Sequence, residues 1–217
     1  MPTFTLDTPL SEHGQPRVGP AASFGSLALL TGLTVLTPLA AQAAPQVFQV
    51  TNEAGQAVPN VAVSVLVKGA KASAPAGTTA ELGQRNKAFT PNLLVIQTGT
   101  QVSFPNFDTV RHHVYSFSPV HPFEIKLYAG TPAAPVLFDK AGTATLGCNI
   151  HDRMLAYIHV VDTPYFGVTD ATGKVTIDLP AGDHLARLWT PNLGEKSPGN
   201  EHPVKAGGAP LVIRTKL

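Results

Sequence analysis

The stretch Cys148-Asn-Ile-His151-Asp-Arg-Met154 brings a thiol, an imidazole and a thioether close together in the chain. Soft thiolate suits monovalent copper, imidazole serves both oxidation states, and a weakly held thioether favours the reduced ion. Each residue alone has an ordinary explanation: a lone cysteine is usually a small buried apolar group, and a lone methionine fills a core gap. Here Cys148 is the only cysteine and Met154 the only methionine besides Met1. Their meeting with a histidine between them is what points to a metal. A further ligand must come from a distant segment, and Phe104-Pro-Asn106-Phe-Asp108-Thr-Val-Arg-His112-His113 offers two candidates. Neighbours on a strand point to opposite faces, so one of His112 and His113, not both, reaches a single ion.

Other side chains argue for less. His121 precedes a proline near Glu124 and reads as a surface-loop residue. His159 lies on a strand, while His184 and His202 fall far from the motif. Catalytic triads, phosphate-cradling glycine loops and helical zinc motifs are absent, and the acidic residues near the motif have no hydrolytic spacing. Net charge is +1 and no basic run carries interleaved aromatics, so neither nucleic acid nor an anionic membrane is an expected partner.

A metal loop needs strands to hold it. From Gln46 onward the chain shows short strand-like runs and no amphipathic helix. Candidate strands are Val47–Thr51, Val61–Lys68, Leu93–Gln97, Gln101–Phe104, His112–Phe117, Ala144–Gly147, Leu155–Val161, Val175–Leu179, Leu185–Trp189 and Leu211–Thr215. Turn-forming segments at 52–56, 98–100, 141–143 and 170–174 separate them. Charged residues are 13% of the chain, about half the ~25% usual for a soluble domain. The pattern predicts an all-β fold, built as a sandwich. Gly69–Thr79 reads as a linker and Gly194–Gly208 as a flexible stretch.

Two resemblances extend this reading. Phe89-Thr-Pro91-Asn-Leu-Leu-Val-Ile-Gln-Thr-Gly99-Thr-Gln-Val-Ser-Phe104, followed by Asn106, Asp108 and His112, resembles the cupredoxin signature. The Cys-x2-His-x2-Met spacing is most similar to amicyanin. The His-His-Val-Tyr-Ser block is similar to periplasmic cupredoxins labelled methylamine utilization proteins. The resemblance runs from about Thr79 to Asp162. It implies a Greek-key β-sandwich with one mononuclear type 1 copper held by His112, Cys148, His151 and Met154. It puts His113 where the family has an asparagine. It departs from the family at Asp152 and Arg153, where amicyanin-like proteins have proline and an aromatic.

On either side, Val50-Thr-Asn-Glu-Ala-Gly-Gln and Val168-Thr-Asp-Ala-Thr-Gly-Lys, with Leu179-Pro-Ala-Gly182, resemble the halves of a carboxypeptidase-regulatory-like (prealbumin-like) sandwich. The implied division is a signal peptide at 1–43, a first half-module at 44–76, the cupredoxin domain at 77–162 and a second half-module at 163–217. One elaborated sandwich with a C-terminal extension is the alternative.

Leu27–Leu39 is an apolar run broken by Thr, Gly and Pro, and Ala41-Gln-Ala43 follows it as a cleavage-type site. The expectation is export to the periplasm or beyond, with an uncleaved anchor as the alternative and no stable membrane insertion. In an oxidising compartment a single cysteine must be buried or ligated. The expected function is one-electron transfer between a redox protein donor and acceptor, not catalysis. A copper-handling or structural role is the alternative.

Overall fold

The computed structural model describes residues 43–216 other than 133 and 208. The signal-peptide reading therefore lies outside the described residues, apart from Ala43. In chain order the strands are β1 (Ala44–Thr51), β2 (Ala62–Leu66), β3 (Thr79–Glu81), β4 (Gly83–Arg85), β5 (Ala88–Thr90) and β6 (Leu93–Gln97). There follow β7 (Thr100–Ser103), β8 (His112–Ser116), β9 (Phe123–Tyr128), β10 (Val136–Phe138), β11 (Gly142–Gly147) and β12 (Leu155–Val161). The last are β13 (Phe166–Val168), β14 (Lys174–Leu179), β15 (Gly182–Trp189), β16 (Asn200–Ala206) and β17 (Leu211–Arg214). Among the described residues the helical content is a single 3-10 turn at Pro191–Leu193.

Two sheets and a hairpin enclose one core. The larger sheet has the order β6-β12-β11-β8-β9 and the smaller β10-β7-β3, with β4 and β5 paired beside them. β12 runs parallel to β6 and antiparallel to β11, so its Leu-Ala-Tyr-Ile-His-Val-Val run is flanked on both edges. Ala156, Ile158 and Val160 alternate inward and meet Phe104, Val102, Phe138 and Leu146. Cys148 and Met154 belong to the same core.

A second core draws on both ends of the described chain. β1 lies between β14, antiparallel, and β17, parallel. Opposite it stands the sheet β13-β2-β15-β16. Phe48 and Val50 from β1 pack with Val63, Val65, Leu179, Leu188 and Ile213. A small cluster of Ala62, Leu93 and Trp189 joins the two cores. Trp189 is fully buried there, stacked on His159 at 4.8 Å and edge-on to Tyr157 at 5.7 Å. Outside that cluster, Thr163 Oγ1 donates to the Val65 carbonyl at 2.7 Å, and Glu195 accepts from Ser118 and Thr145 hydroxyls on the larger sheet's side.

The stretch expected to be flexible at Gly194–Gly208 is corrected by β16, which pairs with β15 from Gly182↔Ala206 to Leu188↔Asn200. Its Pro203 concealed it in the sequence. Proline cannot donate to a ladder and is tolerated here because β16 is an edge strand. The linker at Gly69–Thr79 is largely irregular but tied down, with Ala74 N–H donating to the Thr98 carbonyl and Gln97 to the Lys71 carbonyl.

Candidate metal centre

Cys148 directly follows β11 and Met154 immediately precedes β12, so the loop between them joins two neighbouring strands of the larger sheet. The Met154 amide donates to the His151 carbonyl at 2.9 Å, which folds the loop tightly. Cys148 Sγ stands 3.8 Å from His151 Nδ1. From β8, the His112 ring meets the His151 ring edge-on at 5.0 Å. One ligand atom from each of His112, Cys148 and His151 lies within 4.8 Å of the others. Among the described residues this is the one grouping of three or more His, Cys, Asp or Glu side chains with such spacing. Met154 is 2% exposed and shares the core of Cys148.

The surroundings fix which atom of His112 is free. Its Nε2 lies 2.8 Å from Asp108 Oδ2. The Asp108 carboxyl sits below the usual carboxylate range. Burial works against that, but the Lys87 amide, the His112 imidazole and the Asn86 amide together outweigh it. An ionised carboxylate only accepts, so His112 donates from Nε2, and Nδ1 is the nitrogen left for another partner. That Nδ1 is buried with no hydrogen-bond partner. His113 Nδ1 is buried without a partner as well, but of the two histidines only His112 stands beside a thiol and a second imidazole, where a metal ion fits as the missing partner.

His113 goes elsewhere. Its Nε2 meets Glu124 of β9 at 2.8 Å, and the β8–β9 register shifts between His112 and Val114. The structure brings His112, not His113, to Cys148 and His151. The histidines His121, His159, His184 and His202 lie outside the grouping. His121 packs on Phe138 and Phe123. His159 is buried, donor–acceptor paired with Thr143 Oγ1, and burial pushes its imidazole down to about 4.

The Phe104–His112 segment owes its shape to two side chains. Asn106 donates to the carbonyls of Val110 and Tyr128 and accepts the Asp108 amide, which curls the loop ahead of β8. Tyr128 donates to the Phe104 carbonyl at 2.6 Å and accepts from the Gln84 amide. Burial is the main reason its phenol is pushed up to about 12, so it remains neutral. Reading by sequence alone missed Asp108, Tyr128 and Gln84 as supports. The Asp-x3-His spacing was the available signal for the first; nothing local marks the other two.

At the surface, Asp152 and Arg153 are exposed on the loop, with the apolar side chains of Ile150 and Leu155 exposed around them. Behind the cysteine, Tyr115 lies over Gly147 so closely that a Cβ there would meet its ring at 2.7 Å.

No protein-family model and no curated protein sequence matches the chain. Solved structures that resemble it include amicyanin from Paracoccus versutus, at 17% identity and a TM-score of 0.33, covering 45% of this chain and 96% of that one. Native pseudoazurin from Hyphomicrobium denitrificans gives 22% and 0.34, covering 38% of this chain and 75% of that one. A copper-containing nitrite reductase from Thermus scotoductus gives 27% and 0.35 over 44% of this chain, which spans only 25% of that enzyme. These likenesses are low in both identity and superposition.

Proposed function

We propose that the chain is an exported type 1 copper protein that passes single electrons between redox partners, with His112, Cys148, His151 and Met154 as ligands. The observation that carries this reading is the orphan Nδ1 of His112, buried beside the thiol and the second imidazole. Copper is favoured over zinc by the fourth side chain. Zinc takes thiolate, imidazole or carboxylate, whereas a thioether beside one thiolate and two imidazoles suits copper. When bound, copper supplies a reversible one-electron couple between its monovalent and divalent states.

The chain's residues do the rest. Cys148 and His112 are held from strands of one sheet, so the ligand atoms keep their spacing whichever oxidation state they face. The apolar core around Cys148 and Met154 keeps water from the inner side. His151 is partly exposed and serves as the electron port. A site filled by four side chains leaves no open position for substrate, which is why a carrier is favoured over an enzyme. The flanking strands β1, β2 and β13–β17 form a second module that resembles a regulatory-like sandwich.

The deciding experiment is the absorption and EPR spectrum of the mature protein with Cu(II). An intense visible thiolate-to-copper band that disappears in Cys148→Ser is expected. An unchanged spectrum in that variant removes the proposal. Asp152 and Arg153 flank the port with charge, so the association rate with a redox partner should fall as salt rises. A rate flat from ~0.01 M to ~0.5 M ionic strength, a span over which screening lengths shrink from ~30 Å to a few Å, overturns the charged-port reading.

A further inference from the structure

Asp108 does two jobs with one carboxylate. Its Oδ1 accepts the Asn86 amide at 2.7 Å, and its Oδ2 accepts both the Lys87 amide at 2.8 Å and His112 Nε2 at 2.8 Å. Asn86 and Lys87 form the tip of the β4–β5 hairpin, and both have positive φ, 55° and 57°. Such backbone is unfavourable for lysine, so the turn needs an outside partner. The same partner holds the imidazole whose other nitrogen faces Cys148 and His151.

The geometry points to Asp108 as a positioning residue: it locks His112 in the Nε2–H form, aims the Nδ1 lone pair at the metal site, and ties that aim to the Asn86–Lys87 turn. The inference rests on the copper reading for its purpose but not for its structural content. A carboxylate on the far nitrogen fixes ring orientation and makes the near nitrogen a better donor, and losing such a support typically costs 10- to 100-fold in metal affinity. Asp108 is close in sequence to His112, yet its hold on the remote hairpin is visible only in the fold. The arrangement gives the hairpin tip, with exposed Lys87 and Arg85, a direct mechanical link to a ligand ring.

The test begins on metal-free protein, using long-range proton–nitrogen NMR of the His112 ring. The wild type should show a protonated Nε2 and a bare Nδ1. Asp108→Ala should lose that preference. Because Asp108→Ala also frees a strained turn, the same substitution is made with Asn86→Gly and Lys87→Gly, which let the turn form without its clamp. In that background the tautomer should still be lost and Cu(II) affinity should still fall about 10- to 100-fold. Retention of the Nε2–H form, or affinity within about twofold of the glycine-turn parent, overturns the inference and leaves Asp108 as a turn clamp only. A protein that takes up no copper, but whose His112 tautomer follows residue 108, keeps the positioning role and removes the proposed function instead.

Discussion

His112 and His113 are adjacent and both buried, yet their side chains end at different carboxylates, Asp108 and Glu124. That separation makes a sharp test at the level of single residues. His112→Ala should abolish the intense visible band and weaken Cu(II) by more than the ~100-fold that an outer support can cost. His113→Ala should leave the band in place, since Glu124 is partly exposed and can be rehydrated. Titration of both variants with Cu(II), followed by absorption, decides it, and the reverse pattern would move the ligand to His113. The site was readable in the sequence where its parts are local. Cys148 and His151, which the fold brings together with His112, stand out because one short loop holds them three positions apart. Strand alternation allowed only one of the two neighbouring histidines and the resemblance picked His112; the register shift between His112 and Val114 is visible only in the fold. Gln84 and Tyr128 were harder, because their partners lie across the fold and each looks like an ordinary polar residue. Asp108 stands four positions before His112, but its hold on the Asn86–Lys87 turn is visible only in the fold.

Among the strands and turns, legibility followed length and composition. β6 and β12 were recognised with their observed limits because they are apolar, uninterrupted and bounded by turn residues. Short β3, β4, β5, β10 and β13 have too few residues to show a period. β9 is a different case: Phe123-Glu-Ile-Lys-Leu alternates plainly, but the Pro-Val-His-Pro run before it drew attention to a loop. The turn at Asp170–Lys174 was read correctly as a turn, and the structure explains its parts. Asp170 accepts from Thr172 and Lys174, and Gly173 sits at φ 75° with its carbonyl accepting the Val50 amide of β1 at 2.8 Å. A Cβ at Gly173 would stand 2.7 Å from the Val50 carbonyl oxygen. Gly173→Ala should therefore destabilise the protein by about 1–3 kcal/mol through combined steric and backbone strain. Denaturant unfolding followed by circular dichroism measures the loss, and a change within about 0.5 kcal/mol would show that the turn relaxes freely. Because Val50 lies in the second core, the copper spectrum of the folded variant should be unaltered.

At the scale of the whole molecule, His159 is a buried titratable group at the place where the two cores meet. It is buried against Trp189, and its imidazole is pushed from an ordinary 6.5 down to about 4 by loss of solvation. The neutral form is thus favoured by the folded protein, while the unfolded chain takes up the proton sooner. Stability from this group is complete above pH ~6.5, is lost progressively as pH falls toward ~4, and changes no further below that. The full effect is roughly 3 kcal/mol. His159→Gln keeps a hydrogen-bonding partner for Thr143 without titrating in this range. Urea midpoints of metal-free wild type and variant, measured from pH 7 to pH 4, should differ in slope, with the variant flatter. Parallel curves would mean that His159 gains its proton without disturbing the contact with Trp189.

β1 lies between β14 and β17, so the earliest described strand cannot complete its sheet until the latest one arrives. The stretch from β6 to β12, with the Cys148–Met154 loop, can collapse first, since its strands pair within their own stretch of chain. Closing so long a loop carries an entropic cost that local pairings avoid, and contacts between distant segments form slowly. On refolding, protection of backbone amides from exchange should appear in β11 and β12 before β1. During that interval Phe48 and Val50 are uncovered and β1 has two open edges, which makes this strand the place where unfinished chains would stick to one another.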